Sequence, residues 1–310
     1  MRFDRVAQLD ETGEKRARLL KLMKERGLDA VVLSRRHNFS WATGGADNHV
    51  RHASDLGVAS LVFLRGGSRW VLTSNIEAPR IMDEELAGLG FELKETRWYV
   101  PAERPELLRD MLRNMRTASD DGTPGTEDIE PHLPPLRMQL TKHEMEKYRW
   151  LGRQAGTAIG EVCRKATRAM TEEEVAGMLF AAMQRRSVKP TVLLVAADER
   201  ISKYRHPIPT ANKVKASLMI VLCARAWGLV CSVTRLVHFG KMPPELKGKH
   251  EAVCRVDAAM ITASRVNAPY VDAFERGKQA YGEQGYTLEW QKHHQGGPTG
   301  YIEREFTVNP

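Results

Sequence analysis

The apolar positions of the first 115 residues alternate between the helical and the strand period. Residues 14–27 repeat apolar side chains every three or four positions and end on Gly27, a usual helix stop, which predicts an amphipathic helix. Residues 28–34 are almost continuously apolar, as expected for a buried strand. Residues 58–75 contain two β-rich apolar runs joined by a short polar turn with two glycines, which predicts a hairpin. The first part of the chain is therefore predicted to be a compact α/β domain.

The later part of the chain begins with two helix-start signals, each a threonine followed three residues later by a glutamate. These capping boxes pair Thr141 with Glu144 and Thr171 with Glu174, and they predict helices that run to residues 169 and 186. Apolar β-rich runs then predict a strand at 191–197 and a hairpin at 217–240 that turns at 226–228, and helical periods predict helices at 244–264 and 271–284. Helices that lead into strands in this order favour an α+β domain.

Residues 119–135, SDDGTPGTEDIEPHLPP, separate the two patterns. They are acidic, rich in proline and glycine, and without an apolar period, which is typical of a loop or linker. We therefore expect two domains, an α/β domain with its linker at residues 1–135 and an α+β domain at residues 136–310. The sequence has no internal repeat, phosphate loop or dinucleotide fingerprint, so no ATP or NAD cofactor is expected.

The charge of the chain bears on its partners and its compartment. Its 310 residues include 47 Lys and Arg against 39 Asp and Glu, a formal charge of +8, which is compatible with a nucleic-acid partner. Because the charges are interspersed and no basic run reaches five residues, nucleic acid is not the expected partner. No window reaches the roughly 18 apolar residues that a membrane helix needs, and the amino terminus lacks the apolar core of a signal peptide. We expect a cytoplasmic protein with no membrane partner.

Two segments of the later pattern carry candidate chemistry. In YRHPIPT, residues 204–210, His206 lies between Arg205 and a proline, and the two prolines restrict the backbone so that the ring projects from a stiff segment. A histidine held in this way can act as a general acid or base near neutral pH, or it can be an ordinary packed surface side chain. His293 and His294 precede a glycine-rich stretch, which is either a flexible loop or a place where the backbone approaches a ligand closely.

These segments, in this order, resemble the pita-bread superfamily of creatinase, aminopeptidase P, prolidase and methionine aminopeptidase. KRARLLKLMKERGLDAVVLSRRHNFSWATGG resembles the start of the creatinase-type amino-terminal domain, and QLTKHEMEKYRWLGRQAG resembles the linker and first catalytic-domain helix. AMTEEEVAGMLFAAMQRRS, YRHPIPT and GLVCSVTRLVHFG resemble the family's GMTExEV helix, its HHPxPT segment and its GYCSDITRTFxxG strand. The resemblance covers nearly the whole chain. It implies an α+β pita-bread catalytic domain preceded by a smaller α/β creatinase-type amino-terminal domain.

The resemblance also implies positions for the family's metal ligands, and the chain departs from them. Two metal-binding aspartates, eleven residues apart, fall on Val221 and Ser232, and a metal-binding histidine falls on Gly297. A later family histidine falls on Arg304. Valine and glycine side chains offer no lone pair, and a serine hydroxyl is a poor ligand for a divalent cation. The resemblance therefore implies a chain that has lost three of five ligands and binds no metal cofactor.

Two metal-binding glutamates of the family should follow on the last strands, where this chain ends in FTVNP. FTVNP is either a shortened counterpart of the family's FTVEP, which places Asn309 at the first glutamate, or a loop, with both glutamates on strands outside this chain. The second interpretation is preferred, because a complete pita-bread domain without its closing strands would expose a sheet edge. The catalytic-like domain is expected to lack its last strands.

Without metal, the resemblance implies a hydrolase like creatinase, the family member that works without metal ions. His206 occupies the position of the catalytic histidine of creatinase, and would move a proton from water to the leaving nitrogen of a small amide or amidine. Other side chains would bind this small-molecule substrate. His293 and His294 would line the pocket, Glu303 and Glu305 would orient a cationic group, and Arg205 or Arg235 would hold a carboxylate.

Other interpretations of the same residues stay open. A noncatalytic pita-bread module could bind a protein or RNA partner, since some relatives of this fold have lost their metals and serve as scaffolds. An Xaa-Pro dipeptidase or aminopeptidase could use atypical metal ligands drawn from the three histidines and Glu303. Cys223 or Cys231, which adjoin the replaced ligand positions, could be a nucleophile if its pKa were depressed. Creatinase-type proteins are commonly dimers, which implies a homodimer.

Overall fold

The computed structural model describes residues 5–308, and the chain divides into two compact units. The first unit comprises the residues up to Trp150 together with two short later segments, Ala226–Val230 and Gly300–Ile302. The second unit comprises Leu151–Arg225, Cys231–Thr299 and the residues from Glu303 onward. Asn309, which one of the two interpretations of FTVNP placed at a family glutamate, lies outside the described residues.

In the first unit a long helix precedes a mixed sheet and its connecting helices. The elements, in chain order, are α1 (Arg5–Arg26), β1 (Ala30–Arg35), α2 (Arg36–Ala42), β2 (Leu56–Leu64), β3 (Arg69–Ser74), α3 (Ala78–Arg80) with the π-helical turn Ile81–Glu85, β4 (Glu92–Thr96), α4 (Glu103–Met111), β5 (Thr117–Ser119), β6 (Glu127–Asp128), the 3-10 turn Glu130–His132 and α5 (Pro134–Met138). The strands form one sheet in the order β4-β3-β2-β1-β5-β6. Strands β1, β2 and β3 pair antiparallel, whereas the outer pairs are parallel.

The apolar runs of the sequence form the core of this sheet. The five residues that begin β1 are all buried, as the continuous apolar run predicted. Val32, Val62 and Leu72 from the three central strands pack with Leu108 from α4. Each such side chain contributes about 1.5–3 kcal/mol when fully buried. The predicted hairpin is confirmed, since β2 and β3 pair antiparallel across a turn that contains Gly67 at φ +100°.

The segment at residues 119–135 is folded rather than extended. It contributes β6 and the beginning of α5, and its hydroxyl and carboxylate groups make hydrogen bonds within the first unit. Polar turn chemistry therefore identified its irregular backbone but not its packing. The domain boundary placed after residue 135 stays a prediction.

After residue 141 the elements are mostly those predicted from the pattern. They are α6 (Lys142–Lys165), α7 (Glu172–Gln184), β7 (Lys189–Ala197), α8 (Arg200–Lys203), β8 (Ser217–Ala226), β9 (Leu229–His238), α9 (Pro244–Ala263), α10 (Tyr270–Glu283) and the 3-10 turn Glu289–Lys292. The strands form a sheet in the order β7-β8-β9. Within residues 5–308 no strand follows α10, and no helix is long and apolar enough to cross a bilayer.

The local signals that placed these elements have the expected geometry. Thr171 and Glu174 form a reciprocal capping box at the start of α7. Thr141 and Glu144 do the same at α6, with backbone-to-side-chain distances of 2.6 and 3.2 Å. The β8–β9 hairpin turns at two residues with positive φ, Trp227 at +51° and Gly228 at +82°, as a type I′ turn requires.

The first unit also contains a buried network of charged side chains. Lys15 of α1 lies 2.5 Å from Glu11 and 2.8 Å from Glu144, and Lys147 lies 2.6 Å from Glu11. The Tyr301 hydroxyl accepts a hydrogen bond from Lys15 and donates one to Glu144, both at 2.7 Å. All four charged side chains are at most 1% exposed, so two positive and two negative charges balance each other out of contact with water. We call these five residues the buried ion network.

Candidate active site

Three histidines from two segments lie together in the second unit. The Nε2 atoms of His206 and His293 are 3.3 Å apart, and the two rings meet edge to face with centroids 5.3 Å apart. The His293 and His294 ring centroids are 4.0 Å apart. His206 and His294 are exposed, whereas His293 is half-buried. We call these three residues the histidine cluster.

A buried carboxylate holds the segment that carries His206. Glu172, the first residue of α7, is fully buried and accepts hydrogen bonds from the backbone N–H of Ala197 at 2.8 Å and of Thr210 at 2.9 Å. It also pairs with Arg200, whose second nitrogen donates to the Ile208 carbonyl at 3.0 Å. The chain after His206 is therefore anchored at two points. The sequence interpretation missed this role of Glu172, whose only local signal is its place next to a helix N-cap.

A side-chain amide holds the loop that carries the other two histidines. Gln295 donates from Nε2 to the carbonyls of Trp290 at 2.9 Å and His293 at 2.7 Å. Its amide oxygen accepts a hydrogen bond from the Tyr281 hydroxyl of α10 at 3.0 Å. These three bonds fix the backbone of His293 relative to α10.

The glycine at position 297 is required by a close backbone approach. Gly297 has φ +152°, and a Cβ added there would lie 1.9 Å from the Phe306 carbonyl oxygen. Next to it, the Glu305 N–H donates to the Pro298 carbonyl at 2.9 Å, so the two backbone segments are held together. A histidine at this position would force the segments apart.

The side chains at the family's ligand positions do not fit a dinuclear metal centre. Val221 and Gly297 offer no donor atom, and the Ser232 hydroxyl lies 3.2 Å from the Cys223 sulfur. In the part of the chain that the structure describes, no group of three or more His, Cys, Asp and Glu side chains is arranged to hold a metal ion.

Hydrogen bonding within the histidine cluster determines which nitrogen carries the proton. The His293 Nδ1 atom is 2.8 Å from the His294 carbonyl oxygen, which can only accept, so Nδ1 of His293 is the protonated nitrogen. A neutral His293 therefore directs the lone pair of Nε2 towards His206. Partial burial lowers the pKa of His294, with smaller electrostatic contributions from His293, Arg304 and His206, which favours its neutral form at pH 7.

A cavity of about 540 Å³ opens next to these rings. Among the charged side chains of its wall, cations outnumber anions. It is lined by His293, His294, Arg205, Lys249, Lys292 and Glu289, among others. Lys249 and Lys292 are already paired, with Glu245 at 2.7 Å and Glu289 at 2.6 Å. Arg205 has no ion-pair partner among residues 5–308, so it is the cation most available to a negatively charged ligand.

The remaining residues singled out from the sequence lie elsewhere in the second unit. Arg235 is exposed on β9 and donates to the Thr234 carbonyl at 2.8 Å. Glu303 is half-buried, and Glu305 is buried with 7% of its surface exposed. None of Arg235, Glu303 and Glu305 lines the cavity beside the histidine cluster. Their proposed contacts with a substrate stay predictions.

The cysteines next to the replaced ligands are poorly suited to be nucleophiles. Burial raises the pKa of Cys231 to about 11, with a smaller contribution from Cys223. Burial also raises the pKa of Cys223 above its ordinary value. Because the thiolate is the reactive form, both side chains are protonated and unreactive at neutral pH.

Solved structures share this fold at low sequence identity. A prolidase from Pyrococcus horikoshii OT3 matches with a TM-score of 0.79 and 16% identity over 94% of this chain and 84% of that chain. The dipeptidase PepE from Mycobacterium ulcerans matches with a TM-score of 0.78 and 15% identity over 98% of this chain and 84% of that chain. The N-terminal domain of the FACT complex subunit SPT16 from chickpea, Cicer arietinum, matches with a TM-score of 0.68 and 10% identity over 97% and 83%. The predicted pita-bread fold is thereby confirmed.

Sequence comparison gives the family. A search of curated protein sequences found no significant match. The family model of metallopeptidase family M24 matches residues 146–304, more than half of the chain, which confirms the superfamily resemblance seen in the sequence. The chain therefore belongs to metallopeptidase family M24, although Val221, Ser232 and Gly297 stand where that resemblance places metal ligands.

Proposed function

We propose that this protein is a metal-independent hydrolase that cleaves a carbon–nitrogen bond in a small amide or amidine, with His206 as the general acid and base. The observation that carries the proposal is the 3.3 Å contact between the Nε2 atoms of His206 and His293. A hydrogen bond to one ring nitrogen sets which nitrogen of a catalytic histidine carries the proton, and here the Nε2 atom of His293 is the partner. The replaced ligand positions support a mechanism that runs without a metal-bound hydroxide.

The hydrogen bonds of the cluster define the path of the proton. Because the Nδ1 atom of His293 donates to a carbonyl, its Nε2 lone pair accepts the Nε2 proton of a neutral His206. The Nδ1 atom of His206 then keeps its lone pair, and it has no hydrogen-bond partner among residues 5–308. This nitrogen takes a proton from water as the water oxygen attacks the substrate carbon, and returns it to the leaving nitrogen as the C–N bond breaks. His293 is a positioning residue, which stabilises the imidazolium formed in between.

The cavity beside the cluster favours a substrate with a carboxylate. Arg205 is a cation without an ion-pair partner in the described chain, and a guanidinium binds carboxylates in a fixed geometry. The volume of about 540 Å³ admits a small molecule such as an acylated amino acid, a guanidino acid or a dipeptide. The prolidase and dipeptidase among the structural neighbours make a dipeptide with a free carboxylate a natural member of this set.

The test measures hydrolysis of N-acetylglycine, guanidinoacetate and Gly-Pro by protein whose metal content has been measured by mass spectrometry, with and without EDTA. His206→Ala is compared with His250→Ala, which removes an exposed histidine on α9 outside the cluster. We expect activity that survives EDTA, falls about 100-fold or more in His206→Ala and is unchanged in His250→Ala. Activity that depends on one or two tightly held ions per chain, or that survives His206→Ala, would contradict the proposal.

His293→Phe tests the positioning role separately, because it keeps a ring and removes both nitrogens. We expect a loss of about 10-fold, smaller than in His206→Ala, together with a changed pH profile of kcat/KM. A merely structural role would lower the amount of folded protein and leave the pH profile unchanged.

A noncatalytic binding module is the second candidate, and the cation-rich wall of the cavity is the observation that favours it. Arg205, Lys249 and Lys292 could hold an acidic segment of a protein partner without any chemistry. Turnover and peptide binding, measured together, distinguish the two candidates. If none of the substrates is turned over, and an acidic peptide binds with an affinity that falls in Arg205→Gln but not in His206→Ala, the binding module is the better interpretation.

A further inference from the structure

A second cavity, of about 530 Å³, lies wholly within the first unit. It is lined by α4, the segment that follows α4 and the loop after β5. Leu108, Leu112 and Met115 give it an apolar wall, whereas Arg104 and Asp121 bring opposite charges to it. Arg109 and Arg113 also line it, but both are exposed to solvent and Arg113 is paired with Asp110 at 2.9 Å. A cavity with an apolar wall and a few fixed polar groups is the usual form of a small-molecule site.

The positive charge in this cavity is held in place by neutral groups. Arg104 donates to the Ser60 hydroxyl at 2.7 Å and to the Leu72 carbonyl at 3.5 Å. No carboxylate lies within ion-pair distance of it in the part of the chain from residue 5 to residue 308. Burial lowers the pKa of Arg104, and the more distant Asp121 partly offsets that effect. The guanidinium is thus oriented, and most of its N–H groups stay available for a ligand.

The negative charge is held by the loop after β5. The Asp121 carboxylate accepts hydrogen bonds from the Thr123 N–H at 3.0 Å and the Thr123 hydroxyl at 2.6 Å. The Thr123 N–H also contacts the Ser119 hydroxyl at 3.1 Å, which ties the loop back to the strand. Gly122 at φ +75° permits the tight turn between Asp121 and Thr123. Asp121, like Arg104, has no ion-pair partner among the described residues.

We infer that this cavity binds a zwitterionic α-amino acid with an apolar side chain. Arg104 would hold the carboxylate by parallel N–H bonds, Asp121 would accept from the ammonium group, and Leu108 and Leu112 would cover the side chain. An oriented cation and an oriented anion that share one cavity without touching each other are complementary to such a ligand. The site is independent of the hydrolase proposed for the second unit.

Calorimetric titration of the full chain with three related probes tests the inference. Leucine carries both charges, N-acetyl-leucine lacks the ammonium, and leucinamide lacks the carboxylate. We expect leucine to bind and each analogue to bind at least about 10-fold more weakly, since each loses a charge-assisted hydrogen bond. Equal binding of leucine and N-acetyl-leucine would refute a zwitterion site, and so would no heat from leucine at concentrations up to about 10 mM.

Variants of the lining residues test whether leucine binds in this cavity. Arg104→Gln and Asp121→Asn remove one charge each, and Arg51→Gln removes an exposed arginine of the same unit that does not line the cavity. We expect leucine binding to weaken at least about 10-fold in the first two variants and to be unchanged in the third. If Arg104→Gln fails to fold, Asp121→Asn and the probe series give the answer by themselves. Leucine binding that is unaffected by Asp121→Asn would overturn the inference.

Discussion

Replacing Lys15 by methionine perturbs the buried ion network at its centre. The ammonium group contacts Glu11 at 2.5 Å, Glu144 at 2.8 Å and the Tyr301 hydroxyl at 2.7 Å, with its side chain fully buried. Methionine matches the length of the side chain but leaves an excess negative charge in the interior. Removal of one partner from a buried ion pair costs about 3–5 kcal/mol. We expect the free energy of unfolding of the first unit to fall by this amount.

Urea denaturation followed by tryptophan fluorescence measures this loss, because five of the six tryptophans lie in the first unit. With a denaturant dependence of about 2 kcal/mol per molar, the midpoint should fall by about 1.5–2.5 M urea. Lys21→Met is the matched control on the same helix, since Lys21 is 78% exposed and lies 3.8 Å from Glu25. It should change stability by less than about 0.5 kcal/mol.

A double variant that restores the balance of charges tests whether the network acts through its charge. The double variant Lys15→Met with Glu144→Gln removes one charge of each sign and leaves the contact between Glu11 and Lys147 intact. It should therefore recover a large part of the stability that Lys15→Met loses, an interaction energy above about 1 kcal/mol. If Lys15→Met is no more destabilising than Lys21→Met, or if the double variant loses the sum of the single losses, the network does not act through its charge.

The buried ion network also predicts how the free energy of unfolding changes as pH is lowered. Burial acts to raise the pKa of Glu11, but Lys15 and Lys147 together outweigh burial, so the pKa lies below its ordinary value of 4.5. A carboxylate with a lowered pKa in the folded state stabilises that state above the ordinary value, and this contribution is lost as pH falls through the lowered pKa. Because Lys15→Met removes a large part of this contribution, the difference in free energy of unfolding between the variant and the wild type should narrow as pH falls below 4.5, which urea denaturation at pH 7 and at acid pH measures.

Other predictions follow from single contacts. Gly297→Ala should destabilise the second unit by about 2–4 kcal/mol in circular-dichroism melts, because its Cβ would meet the Phe306 carbonyl at 1.9 Å, whereas Gly152→Ala on α6 should stabilise it by about 0.5–1 kcal/mol. Burial raises the pKa of Asp120 to about 6. Its contribution to stability should therefore be lost as pH rises towards 6, and a carboxyl-carbon NMR titration with a midpoint below 4 would refute this. The homodimer stays a proposal, for which light scattering should give twice the chain mass of 35.0 kDa.

Features that depend on neighbouring residues could be predicted from the sequence. The capping box of Thr171 with Glu174 and the turn at Trp227 involve side chains and backbone within four residues of one another. Helix α1, by contrast, begins at Arg5, well before its apolar period. Glu11 and Lys15 are buried in it, although charged side chains are ordinarily exposed, and their burial could not be predicted because partners of Lys15 lie as far as 286 residues away in the sequence.

In the candidate site, too, features set by neighbouring residues could be predicted and features set by distant residues could not. The stiffness of the His206 segment follows from its prolines, but the contact of His206 with His293 joins residues 87 positions apart. The family resemblance placed both in one pocket without predicting that contact. The role of Glu172 was not predicted. A glutamate after an N-cap threonine is ordinarily a surface residue of the first helical turn, and only the folded chain brings Ala197 and Thr210 to its carboxylate.

Tyr301 gives the first unit an unusual place in the order of synthesis. A ribosome finishes residues 1–150 well before it reaches Tyr301, yet Lys15 and Glu144 depend on a hydroxyl that lies 151 positions after Trp150. Until then the nascent unit holds two buried charges whose shared polar partner does not exist. Domains usually fold one after another from the amino terminus. Here the amino-terminal unit is not complete until Tyr301 has been made, and a ribosome that stalls before Tyr301 leaves Lys15 and Glu144 without the hydroxyl that bridges them.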